Sequence, residues 1–302
     1  MFLQKTLKDK AVIRGVGLHK GIETSLSFCP APANAGVHLV RTDLEGCPSV
    51  PVHVDYVRAT ALATTLGNER FNVSTVEHCL STLAAFRIDN VYLELKGSEI
   101  PIGDGSAKVF MEEIRKVGTI EQREPRKYIY VTKPIYCGSE EKHAYVVPYN
   151  GLRLSCTIDF DHRQIGQQFV DIDINEQTFA KELASARTFG FVKDIEKMRE
   201  MGLAMGASLD NAIALDDDKI LNPEGLRFEN EFVRHKAMDA LGDLMTLGRP
   251  IMGHVVLYKA GHDILNQLVR KILDSPDSFQ ELELGGGLPQ FESFDIPFSG
   301  RA

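Results

Sequence analysis

The 302-residue chain is 43% hydrophobic and carries 34 Lys and Arg against 42 Asp and Glu, a formal net charge of -8. That length and apolar content can fill roughly two ordinary domains of about 150 residues, which excludes a disordered chain. The acidic balance excludes the broad positive field of a nucleic-acid binder, so any anionic ligand has to be gripped locally.

The N-terminus, Met1 to Ala11, mixes Lys5, Lys8 and Lys10 with polar residues and lacks the apolar core of a secretory signal. No apolar stretch approaches the roughly 18 residues of a spanning helix, so a cytoplasmic protein that is not integral to a membrane is expected. Cys29, Cys47, Cys79, Cys137 and Cys156 are odd in number and contain no C-x-x-C pair, and they read as reduced thiols.

Gly15-Val16-Gly17-Leu18-His19-Lys20-Gly21 has its third glycine one residue late for a dinucleotide fingerprint, and no Rossmann alternation follows. Short β-rich runs at Thr24 to Phe28 and Val37 to Arg41 alternate with turn clusters. Helical spacing then appears over Ser74 to Arg87, with Ser74 or Thr75 as N-cap, followed by a strand from Asn90 to Leu95 and a helix from Ala107 to Val117. The charged stretch Glu121 to Lys127 reads as a linker and sets a boundary near residue 125, giving units 1-125 and 126-302.

Strand patterns resume at Tyr128 to Lys133, Ala144 to Pro148 and Leu152 to Ile158. Helices are expected over Asn230 to Leu247 and Ile264 to Leu273, with an apolar strand, His254 to Tyr258, between them. Both halves thus read strands, helix, strand, helix, an α+β pattern. The segment from about 191 to 226 holds Met198, Met201 and Met205, and suits either ordinary core filling or a passage for a flexible hydrocarbon chain.

Helix Asn230 to Leu247 places His235, Asp239 and Asp243 four apart on one face, where a His and an Asp either share a metal or form a solvated pair. His78, preceded by Glu77, offers a third ligand with an adjacent base. Glu77 has a second reading as the closing residue of a capping box that starts at Ser74. His262, on a Gly-marked turn after a strand, suits a general acid held by a carboxylate such as Asp243, whereas His254 inside an apolar strand reads as structural. Ser185 lacks a nucleophile elbow, which removes a serine hydrolase from consideration.

Five strings taken in order, Gly15-Val16-Gly17-Leu18-His19, Ser74-Thr75-Val76-Glu77-His78, Ile100-Pro101-Ile102-Gly103-Asp104-Gly105-Ser106, Ala186-Arg187-Thr188-Phe189-Gly190-Phe191 and Phe232-Val233-Arg234-His235-Lys236, closely resemble the UDP-3-O-acyl-N-acetylglucosamine deacetylase family of lipid A synthesis. The likeness runs from about residue 3 to residue 275. It implies two similar α+β domains, each a sheet packed on helices, with the helices sandwiched at the interface and a small β-α-β insert in the second domain that encloses the acyl chain. The tail after residue 275 has no match, and no fused further domain is expected.

The resemblance implies hydrolysis of an N-acetyl group in the committed step of that synthesis by one Zn2+ per chain, held by His78, His235 and Asp239. Glu77 matches its general base, His262 its general acid, Thr188 a hydroxyl on the tetrahedral oxyanion, and Asp243 the residue that orients His262. Phe189, Lys236, Lys142, Phe160 and His19 match substrate-contacting positions, with Phe160 placed to stack on uracil. The expected partner is the small-molecule acylated UDP-amino sugar, acted on by a monomer. A zinc amidase or esterase for another acylated substrate, and a non-catalytic UDP-sugar sensor, are the competing readings.

Overall fold

The computed structural model describes residues 2-283. A five-stranded sheet in the first half follows the order Ala11–Val16, Glu23–Pro30, Val91–Lys96, Val37–Arg41, Ser49–Pro51. All its pairings are antiparallel except that between Val37–Arg41 and Val91–Lys96. Alternation sets which face is covered: Ala11 and Ile13 are buried while Val12 and Arg14 are exposed, and Val91, Leu93 and Leu95 point the same way. Helices α1 (Glu77–Phe86) and α2 (Lys108–Val117) belong to this half.

The second half builds a seven-stranded sheet around Ile251–Tyr258, which pairs in parallel with Lys127–Val131 and Leu152–Phe160 and antiparallel with His143–Val147. Its helices are a single turn α3 (Glu176–Thr178), then α4 (Val192–Glu200), α5 (Glu231–Leu244) and α6 (His262–Leu273). The expected element types hold, with ends shifted by a few residues. The sheet also takes in Phe279–Glu283, past residue 275, while the rest of that tail lies outside the described residues.

One expectation changes. The stretch read as a linker is a strand, Thr119–Pro125, paired antiparallel with Leu3–Leu7. Its side chains are mostly exposed because this is a two-stranded ribbon with water on one face, so its composition mimics that of a linker. The second sheet begins two residues later, at Lys127.

Helices α1 and α5 pack directly on each other between the two sheets. Nine of ten α1 residues and twelve of fourteen in α5 are buried, so neither helix has the solvated face that a surface helix keeps. Leu80 and Leu83 of α1 and Phe232, Val233 and Leu241 of α5 are buried, at about 1.5–3 kcal/mol for each fully buried large side chain. The crossing is close because residue 242 is glycine: a Cβ there would stand 2.0 Å from the Glu77 carbonyl oxygen. Polar side chains placed inside such a pair have to find partners on each other.

Candidate active site between the two central helices

The chain enters α1 through Thr75, a β-branched residue in the left-handed region at φ 61°. No side chain caps the helix start, and the capping-box alternative for Glu77 fails. The Thr75 hydroxyl donates instead to Glu99 Oε1 at 3.2 Å. The Glu77 carboxylate turns inward and accepts from the Thr64 backbone N–H at 3.1 Å. Burial pushes its pKa up to about 7, against the opposing pull of His262 and His78.

His78, the next residue on α1, meets His235 of α5 with ring centroids 5.0 Å apart and planes at 86°. Asp239, one turn along α5 from His235, brings its Oδ1 to 3.4 Å from Nε2 of each imidazole. One ligand atom from each of the three residues lies within 4.8 Å of the other two. His235 Nδ1 donates to the Ala186 carbonyl at 3.0 Å, which leaves Nε2 with its lone pair, and burial lowers the ring's pKa to about 3, so it is neutral.

Asp239 Oδ1 is fully buried and has no hydrogen bond among the described residues, an anionic oxygen between two imidazole nitrogens. Burial opposes its charge, but Lys236, whose Nζ stands 3.0 Å from Oδ2, is among the groups that hold the carboxyl well below the usual range. A dry carboxylate oxygen facing two nitrogen donors is the environment of a bound divalent cation, so the residues present fit one.

His262 is the first residue of α6, with Gly261 as its N-cap, rather than part of an open turn. Its Nδ1 lies 2.7 Å from Asp243 Oδ2, and its Nε2 faces Glu77 Oε1 at 3.9 Å. Burial disfavours the charged ring, yet Asp243 and then Glu77 more than compensate and raise its pKa to about 9. Asp243 is held in turn by the Thr64 hydroxyl at 2.5 Å.

A cavity of about 400 Å³ opens from these residues, lined on its polar side by His19, Thr75, Glu77, His78, Thr188, Phe189, His235, Lys236, Asp239 and His262. Thr188 is fixed by its backbone N–H, which donates to Gly105 O of the first half at 2.8 Å. Lys236 Nζ lies 5.9 Å from the Phe189 ring centroid. Arg187, beside Thr188, is among the most deeply buried side chains, with Nε and its backbone N–H both 2.9 Å from Glu231 Oε1. That buried pair, Arg187 with Glu231 at the start of α5, fixes the Ala186 carbonyl that His235 uses.

The apolar end of the cavity runs into a β-α-β unit made by the parallel strands Phe189–Phe191 and Ile213–Leu215 with α4 between them. The unit begins two residues earlier than expected, at Phe189. Ile195, Met198, Ala204, Ala207 and Leu221 line it. Of the three methionines singled out, only Met198 faces the cavity, while Met201 and Met205 are exposed.

Two of the expected substrate residues stand apart. Lys142 lies in the exposed turn between Ile135–Gly138 and His143–Val147, its backbone N–H bonded to Ser139, and does not line the cavity. Phe160 sits behind Phe189, with ring centroids 5.6 Å apart. His254 is paired with Ser155 Oγ at 2.7 Å, as a structural histidine should be. Thr64 and Glu99, which organise Glu77, Asp243 and Thr75, carry no local sequence signal that would single them out.

The family model described as LpxC, UDP-3-O-acyl N-acetylglycosamine deacetylase, matches residues 4–274. Among curated relatives, a UDP-3-O-acyl-N-acetylglucosamine deacetylase from Bdellovibrio bacteriovorus is 59% identical over 95% of this chain and 95% of its own length. The protein of the same description from Myxococcus xanthus is 44% identical over 99% and 95% of the two chains. That from Shewanella pealeana is 42% identical over 98% of each.

Proposed function

Because the chain belongs to the family of UDP-3-O-acyl-N-acetylglucosamine deacetylases, we propose that it hydrolyses its amide with Glu77 as general base and His262 as general acid beside a divalent cation. It is a deacetylase of lipid A biosynthesis, releasing acetate and UDP-3-O-acyl-glucosamine. What supports the assignment of roles is the convergence of a three-ligand cluster, a carboxylate and a carboxylate-held imidazole on one cavity.

His78, His235 and Asp239 would hold one Zn2+, which would supply Lewis-acid polarisation of the acetyl carbonyl and a water that ionises near neutral pH. Glu77 takes the water's proton as attack proceeds. The Thr188 hydroxyl donates to the oxyanion of the tetrahedral intermediate, a contact worth ~2.7–4 kcal/mol for one well-placed donor. His262 then delivers its Nε2 proton to the departing amine, while Asp243 keeps Nδ1 engaged and the ring charged.

Phe189, Lys236 and His19 contact the sugar end, and Lys142 and Phe160 the nucleotide end, Lys142 reaching it from its exposed turn. The acyl chain lies along Ile195, Met198 and Leu221. The protein works as a cytoplasmic monomer that meets its amphiphilic substrate without spanning the membrane; no helix among the described residues is long and apolar enough to cross one.

Comparing acetate release from UDP-3-O-acyl-N-acetylglucosamine with that from UDP-N-acetylglucosamine tests this reading. At ~0.8 kcal/mol per buried methylene, about four methylenes suffice for a hundredfold effect, so loss of the chain should lower kcat/KM at least ~100-fold. Equal turnover of the two would point instead to an amidase that ignores the acyl group.

A further inference from the structure

We propose that Glu99 is a positioning residue that sets His19 against the substrate and clamps the insert onto the first half of the molecule. Glu99 immediately precedes Ile100-Pro101 and is almost completely buried. Its carboxylate meets only neutral donors: the His19 backbone N–H at 2.8 Å on Oε1, the Lys20 backbone N–H at 2.8 Å on Oε2, and the Thr75 hydroxyl at 3.2 Å on Oε1. Among the described residues it has no ion pair. A dry carboxylate with this donor set is costly to bury, and its return is a fixed loop conformation.

Two structures hang on that loop. One is the turn at Thr75, whose left-handed backbone precedes Glu77 and His78 and whose hydroxyl is held by Glu99. The other is the insert: Met205 N–H donates to His19 O and Gly206 N–H to Leu18 O, both at 3.0 Å. The approach is so close that a Cβ on Gly206 would stand 2.2 Å from the Gly17 carbonyl oxygen. The loop therefore forms a seam between the first half and the wall of the acyl passage.

His19 is the side chain the seam presents. It lines the cavity, it is about nine-tenths buried, and its Nδ1 has no partner among the described residues. The imidazole that lines this wall stands between the polar residues of the cavity and its apolar end, where the sugar would meet the acyl chain. The role of Glu99 rests on His19 contacting the substrate.

Kinetics of His19→Ala, Glu99→Gln, the double variant and Gly206→Ala, each checked for wild-type metal content and thermal midpoint, test the proposal. Glu99→Gln puts an amide NH2 against a backbone N–H and should raise KM about tenfold while kcat stays within about threefold. His19→Ala should do likewise, and the double variant should be no worse than either single one, because both remove one interaction. Gly206→Ala, which opens the seam without touching Glu99, should also raise KM. If His19→Ala leaves KM unchanged, the contact with substrate is wrong and the role of Glu99 falls with it. If His19→Ala raises KM but the effects of the two substitutions multiply in the double variant, Glu99 does not act through His19, and if Gly206→Ala leaves KM unchanged, the clamp onto the insert is wrong.

Discussion

Glu77→Gln is expected to lower kcat by ~10²–10⁴-fold, the usual contribution of a well-placed general base, with metal content close to wild type. The substitution keeps size and shape and removes the charge and, with it, the ability to accept a proton. The site is built to make that ability matter. Burial holds the Glu77 pKa near neutrality, at about 7, so that the carboxylate is a stronger base than an exposed one. Thr64 N–H and His262 keep its two oxygens oriented, and neither contact is needed for a helix cap. Acetate release at saturating substrate, with metal measured on the same samples, reads the effect. Full activity in the variant would assign the base elsewhere.

His262→Ala is expected to cost a comparable ~10²–10⁴-fold, and Asp243→Asn gives this claim a sharper signature in pH. Burial by itself disfavours the imidazolium, and Asp243 supplies the largest opposing influence that raises its pKa to about 9. A general acid works while protonated, so its contribution is complete well below pH 9 and is lost as pH rises through about 9. Without the Asp243 carboxylate the ring's pKa falls toward or below its unperturbed value of about 6.5. The alkaline limb of kcat should then move to lower pH by more than about one unit, leaving activity at low pH less affected than at pH 8. An alkaline limb that stays in place in Asp243→Asn would show that His262 is not the group titrating there.

Spacing placed His235 and Asp239, four apart, on one face of α5 but left open whether they share a metal or form a pair. Their union with His78 was not a matter of spacing, since nothing in the period of either helix says that α1 and α5 touch. That contact depends on Gly242, whose missing side chain admits the Glu77 backbone, and only the ordered likeness of several strings to one family pointed to it. Residues within the strings, such as Thr188 and Phe189, were singled out for the same reason, and both line the cavity.

Thr64 and Glu99 were not. Thr64 sits among threonines and alanines without periodicity, and its bond to Glu77 spans 13 residues while that to Asp243 spans 179. Glu99 looked like one of 42 acidic residues until its three donors were visible. The misread linker fails for a different reason: Thr119–Pro125 is a strand whose partner, Leu3–Leu7, lies at the other end of the first half, and exposed ribbons carry the composition of loops. In the insert, three methionines close in sequence suggested a shared wall, but α4 and the turn after it send Met201 and Met205 outward.

Titration of zinc into chelator-stripped protein measures the claim on which the mechanism stands, that residues from α1 and α5 jointly seat one cation. The expected isotherm has one tight site per chain. His78→Ala and His235→Ala should each weaken it by more than the ~10–100-fold that follows loss of an outer partner. Tight binding that survives removal of His78, or a stripped protein that takes up no zinc while releasing acetate at the full rate, would contradict it.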